Sequence, residues 1–309
     1  MPGVPAHAAP VPRLGLWVPW ADTDSIGWIR YSLDRRHIPY VYLRDEDIRA
    51  GRLRDKVDVL LYGRVDLELA EQIHGIPKAW GPMPYEKTAR TPNLGTPASS
   101  KDITGGVGWV GMAHLQRFVD GGGLMITLSS GSLLPIEGGM VRGIRRDSGG
   151  VDRSAQGGGA EAASASEGAE TRTPGSHVRV TFLAPHNPIA YGYRDHTFVF
   201  RENEALYAMP RRWLRAAYCT TCLDGPVDTR HVVMVWGGPQ DEPFVVSGQA
   251  WGARNLIGRP AIFDLPVGKG RLVAFDFNPI HRDLNRGDQR LLWNAIINWR
   301  ALLAGDPAH

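Results

Sequence analysis

Residues 13–64, RLGLWVPWADTDSIGWIRYSLDRRHIPYVYLRDEDIRAGRLRDKVDVLLYGR, decide the fold class of this chain. They contain three short apolar runs, at 14–19, 40–43 and 57–62. Between the first two runs, Ile26, Ile29 and Leu33 recur at helical spacing. Short apolar runs separated by helical patterns are typical of βαβ units, whose strands are parallel. The stretch predicts an α/β fold, a flavodoxin-like doubly wound parallel sheet with its ligand edge just after the strands.

The remaining sequence divides the chain into a main domain, an insert and two tails. A fourth apolar run, 124–128, follows a helical face that ends at three glycines, and a final strand and helix occupy 271–277 and 289–303. Strands with turn residues fill much of the second half and predict a β-rich excursion from the same sheet. The predicted layout is a disordered tail at 1–12, the first part of the domain at 13–146, a low-complexity flexible insert at 147–176, the remainder at 177–304 and a tail at 305–309.

Charge and hydropathy narrow the classes of partner. The 309 residues include 35 basic and 32 acidic ones, a balance that does not suggest a general nucleic-acid binder. No apolar stretch approaches the ~20 residues of a membrane span. Residues 1–12 lack the basic and apolar regions of a signal peptide. We therefore expect no nucleic-acid partner and no membrane span, with a cytoplasmic location for the chain as it stands or an extracytoplasmic one if it is cut from a secreted parent.

Several segments together resemble one protein family. They are GLWVPW, GWIRYSL and IPYVYLRDEDIRAGRL near the start, ITGGVGWVGMAHLQRFVDGGGLMITLSSGSLLP in the middle, and TPGSHVRVTFLAPHNPIAYGY and GKGRLVAFDFNPIHRDLNRGDQRLLWNAI later. In this order they resemble the class I glutamine-amidotransferase-like domain at the C-terminus of some bacterial zinc carboxypeptidases of the carboxypeptidase A type. The resemblance implies an amidotransferase-like fold and, as partner, a zinc carboxypeptidase module in cis or in trans.

The chain itself lacks a peptidase zinc motif. A carboxypeptidase of this type binds zinc through an HxxE pair and a distant histidine, which leave a coordination position open for water. No histidine in the sequence has a glutamate three residues later. Peptidase activity is therefore not expected of this chain, and we predict no metal and no cofactor. The resemblance then implies an accessory domain without the peptidase module.

The two cysteines, Cys219 and Cys222, form a single CxxC pair with His231 nearby. A structural zinc site normally has four ligands, and a redox motif would stand at the start of a helix after the first strand. Incidental thiols or a local disulfide fit the pair better. The three residues remain weak metal candidates.

Amidotransferase chemistry requires a cysteine nucleophile on a sharp turn between a strand and a helix. Here the turn after the fourth apolar run reads Leu128-Ser129-Ser130-Gly131-Ser132, without a cysteine. A serine-dependent hydrolase could use Ser129 or Ser130 with His281 and Asp283, which follow the last strand. The alternative interpretation is that the serines form an ordinary turn.

A ligand-binding edge is also predicted after the first strand. Tryptophans and carboxylates are concentrated there and resemble the lining of sugar or peptide pockets. Further polar residues follow the last strand and would lie on the same edge. The candidate ligand-binding residues are Trp20, Asp22, Asp24, Trp28, Asn278 and Arg282. Alternatively, Trp17 and Trp28 belong to the core, and Asp22 or Asp24 caps the first helix.

These observations favour a non-catalytic, amidotransferase-like accessory domain that acts in substrate recognition, docking or stability. The alternatives are a serine-dependent hydrolase and a small-molecule or carbohydrate binding module. A peptide or a sugar is the expected ligand in the last case.

Overall fold

The computed structural model describes residues 10–147, 171–208 and 231–305. Within these ranges the strands are β1 (Leu14–Trp17), β2 (Val41–Leu43), β3 (Val59–Tyr62), β4 (Leu124–Leu128), β5 (Arg145–Asp147), β6 (Ser176–Phe182), β7 (His196–Arg201), β8 (Leu206–Ala208), β9 (Val232–Trp236), β10 (Val245–Ser247), β11 (Pro260–Val267) and β12 (Gly270–Phe275). The helices are α1 (Asp24–Arg35), α2 (Asp45–Ala50), α3 (Leu53–Lys56), α4 (Leu69–His74), α5 (Gly108–Asp120), α6 (Leu133–Glu137), α7 (Arg286–Ile297) and α8 (Trp299–Ala304).

One half of the main sheet is parallel, in the order β2-β1-β3-β4-β12. This is the flavodoxin-like order, in which the sheet winds outward in both directions from the first strands. The three strands predicted within residues 13–64 and the run at 124–128 all lie here. Every residue of β3 and β4 is buried, as expected where helices cover both faces of a sheet. The predicted fold class is confirmed by this strand order.

The second half of the sheet is antiparallel and continues directly from β12. Strand β11 pairs with β12, β9 with β11 and β6 with β9, and β6 also pairs with β7 and β10. The β-rich excursion is therefore an extension of the main sheet. Strands β5 and β8 form a separate two-stranded sheet.

The helical spacing of apolar residues in the sequence correctly predicts the buried face of α1. Ile26, Ile29 and Leu33 of α1 are at most 1% exposed. Trp28 lies on the other side of α1 and is 39% exposed, so the expectation that it belongs to the core is wrong. Trp17 does belong to the core, where its ring stacks on Tyr62 with centroids 4.1 Å apart.

The long segment 76–108 is folded against the carboxyl edge of the sheet. Tyr85 and Ser100 form an isolated antiparallel bridge within it. The carboxylate of Asp102 accepts hydrogen bonds from the backbone N–H groups of Met83 and Thr104. These local bonds replace regular secondary structure and fix the course of the loop.

The structure describes both ends of the predicted insert, 147–176. Asp147 ends β5, and Ser176 begins β6. Arg172 forms a bridge with Trp251. The rest of the predicted insert, 148–170, lies outside the described residues, as do 1–9 and 306–309 of the predicted tails. No helix among the described residues is long and apolar enough to cross a membrane.

Candidate functional site

The parallel strands end at one edge of the sheet, and two features follow their carboxyl ends. The first is a cleft beside β1 and β2, here called the edge cleft. The second is the turn Ser129–Ser132 after β4, here called the β4 turn. Strand direction brings the ends of β7, β9 and β12 to the same edge. Ligands of doubly wound sheets bind at this edge, so both features merit attention.

The edge cleft has a volume of about 300 Å³ and is bounded by the start of α1, the ends of β1 and β2 and the 76–108 loop. It is lined by Val18, Trp20, Thr23, Ile26, Gly27, Arg30, Tyr42, Arg44, Tyr85, Pro97 and Ile103. Three aromatic rings and two guanidinium groups thus surround it, and no acidic side chain belongs to the lining. Its size is at the lower end for a small-molecule pocket.

Arg44 and Trp20 are in contact with each other in the wall of the edge cleft. The guanidinium carbon of Arg44 lies 3.5 Å from the centroid of the Trp20 ring and 5.2 Å from that of Tyr42. Nη1 of Arg44 donates to the carbonyl oxygens of Val18 and Pro19, at 2.9 and 3.1 Å. The side chain therefore ties the end of β2 to the segment that follows β1 while its face stacks on an indole.

Acidic residues next to the cleft hold Trp20 in place. Buried Asp45 accepts the Trp17 indole N–H at 2.9 Å and the backbone N–H of Trp20 at 3.2 Å. Burial raises the pKa of Asp45. Glu46 accepts the Trp20 indole N–H at 2.8 Å and the Ser100 hydroxyl at 2.6 Å. These bonds join the 76–108 loop to α2 and orient the indole ring.

Asp22 and Asp24 do not line the cleft. Asp22 accepts the backbone N–H of Asp24 at 3.0 Å and that of Asp66 at 2.6 Å. It therefore supplies a hydrogen-bond acceptor just before α1, but the N-cap residue is Thr23, so the expectation that Asp22 or Asp24 is the N-cap is wrong. Asp24 is exposed in the first turn of α1.

Three other predicted ligand residues also lie outside the edge cleft. The Trp28 ring packs edge-on against Tyr31, with centroids 5.9 Å apart, on the outer side of α1. Asn278 is 4% exposed and accepts the backbone N–H of Ile280 at 3.1 Å. Arg282 is exposed. Of the predicted set the structure places Trp20 alone in the cleft, and the sequence analysis missed Tyr42, Arg44 and Tyr85.

The β4 turn has the backbone of a sharp elbow. Ser129 has a φ of +53°, which is uncommon for a residue other than glycine. It is 2% exposed, and its hydroxyl oxygen has no hydrogen-bond partner among the described residues. Ser130 is different, because its hydroxyl donates to the Val65 carbonyl and accepts the Val65 N–H at 3.1 Å. A Cβ on Gly131 would lie 2.3 Å from the Gly63 carbonyl oxygen, so the turn requires glycine there.

The proposed partners of these serines, His281 and Asp283, contact different residues. Nδ1 of His281 lies 3.1 Å from a carboxylate oxygen of Glu202, and its ring lies on Phe200 with centroids 4.5 Å apart. Burial lowers the pKa of His281, and Glu202 opposes this effect. The sequence analysis did not single out Glu202.

Asp283 connects the segment after β12 to α1 and α7. Its carboxylate accepts a hydrogen bond from the Ser32 hydroxyl and one from the Gln289 amide at 3.0 Å. It also pairs with Arg35 at 2.8 Å and with Arg36 at 3.3 Å. Burial alone would raise the pKa of Asp283, but these partners outweigh it and lower the pKa. The contacts assign this carboxylate to a structural junction.

Two buried carboxyl groups follow β7 and β12. Asp276 is 1% exposed and accepts the Trp236 indole N–H at 3.1 Å, and burial raises the pKa of its carboxyl group. Burial likewise raises the pKa of Glu204 to about 7. Among the described residues neither Glu204 oxygen has a hydrogen-bond partner. These groups increase the polar character of the edge beyond the β4 turn.

The cysteine pair cannot be placed. Cys219 and Cys222 lie outside the described residues, and His231 directly precedes β9. Across the described ranges, no group of three or more His, Cys, Asp or Glu side chains could hold a metal ion.

Comparisons with known proteins found solved structures that are similar to this chain. No family model and no curated protein matches the chain. A β-galactosidase from Bacillus circulans is similar over 92% of this chain, with a TM-score of 0.44 and 10% identity, and this chain spans only 31% of it. PurLQS from Thermotoga maritima is similar over 94% of this chain and 100% of its own, with a TM-score of 0.48 and 12% identity. A ThuA-like protein from Parabacteroides merdae is similar over 97% of this chain and 92% of its own, with a TM-score of 0.47 and 12% identity.

At these identities and TM-scores the likenesses give no information on activity, ligand or partner. The fold class follows from the strand order, which is that of the flavodoxin-like doubly wound α/β proteins.

Proposed function

We propose that this chain is a non-catalytic, amidotransferase-like α/β domain that recognises a small ligand in the edge cleft. One observation carries the proposal. At the carboxyl edge of a doubly wound sheet, aromatic rings and two arginines surround a concave space of about 300 Å³. Few, fixed polar groups among apolar walls are the usual composition of a small-molecule site.

Two contacts support a non-catalytic role, one in the β4 turn and one in the segment after β12. The Ser130 hydroxyl is hydrogen-bonded to the backbone of Val65, and the Asp283 carboxylate is paired with α1. Neither group is therefore free to act as a nucleophile or as the carboxylate behind His281. The turn also lacks the cysteine that amidotransferase chemistry uses.

Two glycines offer a matched test of ligand binding. A Cβ added at Gly27, in the cleft wall, or at Gly287, in α7, would meet no atom within 4 Å. A side chain can therefore be added at both positions without a clash at its Cβ, and only Gly27→Leu adds it at the cleft. Binding of N-acetylglucosamine, Ala-Trp, phenylacetate and phenylacetamide would be followed by NMR. We expect at least one compound to bind wild type and Gly287→Leu and to bind Gly27→Leu more weakly. Equal binding by both variants, or by none of the three proteins, contradicts the proposal.

A serine-dependent hydrolase is the second candidate, because Ser129 combines a positive φ with an unpartnered hydroxyl oxygen among the described residues. Glu202 takes the place of Asp283 as the carboxylate beside His281. This candidate requires labelling by a fluorophosphonate that is lost in Ser129→Ala. It also requires hydrolysis of p-nitrophenyl acetate above the rate of Ser129→Ala. If neither occurs, the non-catalytic proposal stands.

We also propose a zinc carboxypeptidase module as the partner of this domain. The support is the resemblance of the sequence segments to domains that accompany such peptidases. A peptidase reading frame directly upstream, or a peptidase that co-purifies with the chain, is the expected finding. A genomic neighbourhood without any peptidase removes this support and leaves the ligand-binding proposal unaffected.

A further inference from the structure

The Arg44 side chain carries a charge that has no ion-pair partner among the described residues. Arg44 is 7% exposed, and the two side-chain hydrogen bonds that it donates go to neutral backbone carbonyls. Its Nε has no hydrogen-bond partner among the described residues. No carboxylate of those residues lies within the 4.0 Å of an ion pair from its guanidinium group. The contrast is Arg271, which is equally buried and has an Asp264 carboxylate oxygen 2.6 Å from its Nε.

An unpaired buried cation is costly, because the protein interior replaces little of the hydration that it loses. Burial accordingly lowers the pKa of Arg44, although nearby tyrosines and carboxylates oppose the effect. A site that keeps such a group beside an open cleft is complementary to an anion, which would restore the missing partner.

The surroundings of the cleft add positive charge. Arg30 also lines it and lies 5.8 Å from the Tyr42 ring centroid. Thr23, which directly precedes α1, and Ile26 and Gly27 of its first turn belong to the wall, and the N-terminal end of a helix carries a partial positive charge.

The acidic side chains near the cleft do not remove its preference for an anion. Asp45 and Glu46 are hydrogen-bonded to the two indoles, and Asp22 is hydrogen-bonded to backbone N–H groups. Asp34 lies 3.6 Å from Nε of Arg30, on the exposed side of α1. Asp24 is exposed at the start of α1. None of these side chains lines the cleft.

The aromatic rings of the cleft indicate which chemical group of the ligand carries the anion. Trp20 and Tyr85 are tilted toward each other with centroids 5.1 Å apart, and Tyr42 lies on the Arg44 side. Aromatic walls favour a planar group, which stacks or packs edge-on against them. We propose that the edge cleft binds a small organic carboxylate with a planar ring, its carboxylate near Arg30 and Arg44 and its ring among Trp20, Tyr42 and Tyr85. This inference rests on the proposed ligand-binding function.

Pairs of acids and amides of the same shape test the charge requirement. The probes are phenylacetate with phenylacetamide, and indole-3-acetate with indole-3-acetamide, measured by calorimetry. We expect each acid to bind about tenfold or more tighter than its amide. Its advantage should shrink at high ionic strength. Acetate alone should bind more weakly than either acid because it lacks the ring. Phenyl phosphate that binds tighter than phenylacetate overturns the choice of a carboxylate.

Substitutions of Arg30 and Arg44, with Arg117 as the control, test which side chains cause the preference for acids. Arg30→Gln changes a partly exposed side chain and should weaken the acids while leaving the amides unchanged. Arg117→Gln, on α5, is the control for lost surface charge and should alter neither. Arg44→Lys tests the central group, and if it does not fold, Arg30→Gln still decides. Amides that bind as tightly as acids overturn this inference and leave the proposed function intact. If no probe binds, and Gly27→Leu and Gly287→Leu bind the other compounds equally, the proposed function fails as well.

Discussion

Nδ1 of His281 lies 3.1 Å from Oε2 of Glu202, so the imidazole after β12 is paired with the carboxylate after β7. Glu202 favours the imidazolium form and thereby opposes the burial that lowers the pKa of His281. In Glu202→Gln we expect the pKa of His281 to fall further. An NMR titration of the ring protons measures it, with Glu68→Gln as the control for loss of a remote carboxylate. An unchanged pKa contradicts the pairing.

Asp283 and Ser129 should respond differently to substitution. Asp283→Ala leaves Arg35, Arg36 and Ser32 without their shared acceptor, and we expect a loss of about 2–3 kcal/mol in unfolding free energy. Ser129→Ala removes a hydroxyl with no described partner and should cost less than about 1 kcal/mol. Urea unfolding compares the two variants. Equal losses would mean that the junction at Asp283 is not what stabilises this region.

Removal of one partner of the buried ion pair between β11 and β12 should strongly destabilise the protein. Nε of Arg271 donates to Asp264 at 2.6 Å, and both side chains are at least nine-tenths buried. Asp264→Ala leaves a buried guanidinium unpaired, and we expect it to cost about 3–5 kcal/mol. Asp34→Ala, which breaks an exposed pair with Arg30 at 3.6 Å, should cost about 0–1 kcal/mol. Similar losses, measured by thermal and urea unfolding, would contradict this ranking.

Two glycines should give opposite results when replaced by alanine. Gly27→Ala adds a methyl group in open space on a helix, and we expect a gain of about 0.5–1 kcal/mol. Gly106→Ala would place its Cβ 2.5 Å from the backbone nitrogen of Gly75, at a φ of +48°. It should destabilise the protein by more than about 1 kcal/mol, since the backbone has to move. Differential scanning calorimetry of both variants tests the signs.

Asp288 should make stability decrease with rising pH. It accepts the Phe200 N–H at 2.8 Å, and burial raises its pKa from 3.8 to about 7. Between these values the folded protein retains a proton that the unfolded chain releases, so this contribution to unfolding free energy falls as pH rises through the window. Asp288→Asn removes the titrating group. It should therefore stabilise the protein more at about pH 8 than at about pH 5, with an upper limit on the order of 4 kcal/mol. A pH-independent difference in urea midpoint would contradict the raised pKa.

The sequence predicted the parallel half of the fold because its inner strands are buried on both faces and appear as apolar runs. Residues 59–62 and 124–128 are such runs, and both are strands. The antiparallel strand β11 was missed. Its sequence contains Pro260, Asp264 and Pro266, which conceal the pattern, and the buried charge becomes acceptable only through Arg271.

The site was harder to predict because its residues come from distant segments. The sequence analysis placed its candidate ligand edge after β1, where the edge cleft lies, but Tyr85 reaches this cleft from a proline-rich loop with no periodic pattern. Arg44 stands in a run of charged residues, RDEDIR, where a solvated surface is the simplest interpretation. Its position directly after β2 was the available signal, since residues that follow parallel strands face the ligand edge.

Strand β12 lies between β4 and β11 although it is the last strand in the chain. During synthesis, β4, which is fully buried in the folded protein, therefore has an open hydrogen-bonding edge until residues 270–275 leave the ribosome. An open edge of this kind can pair with other chains. We therefore expect ribosome-bound intermediates that end before β12 to aggregate more readily than the completed chain.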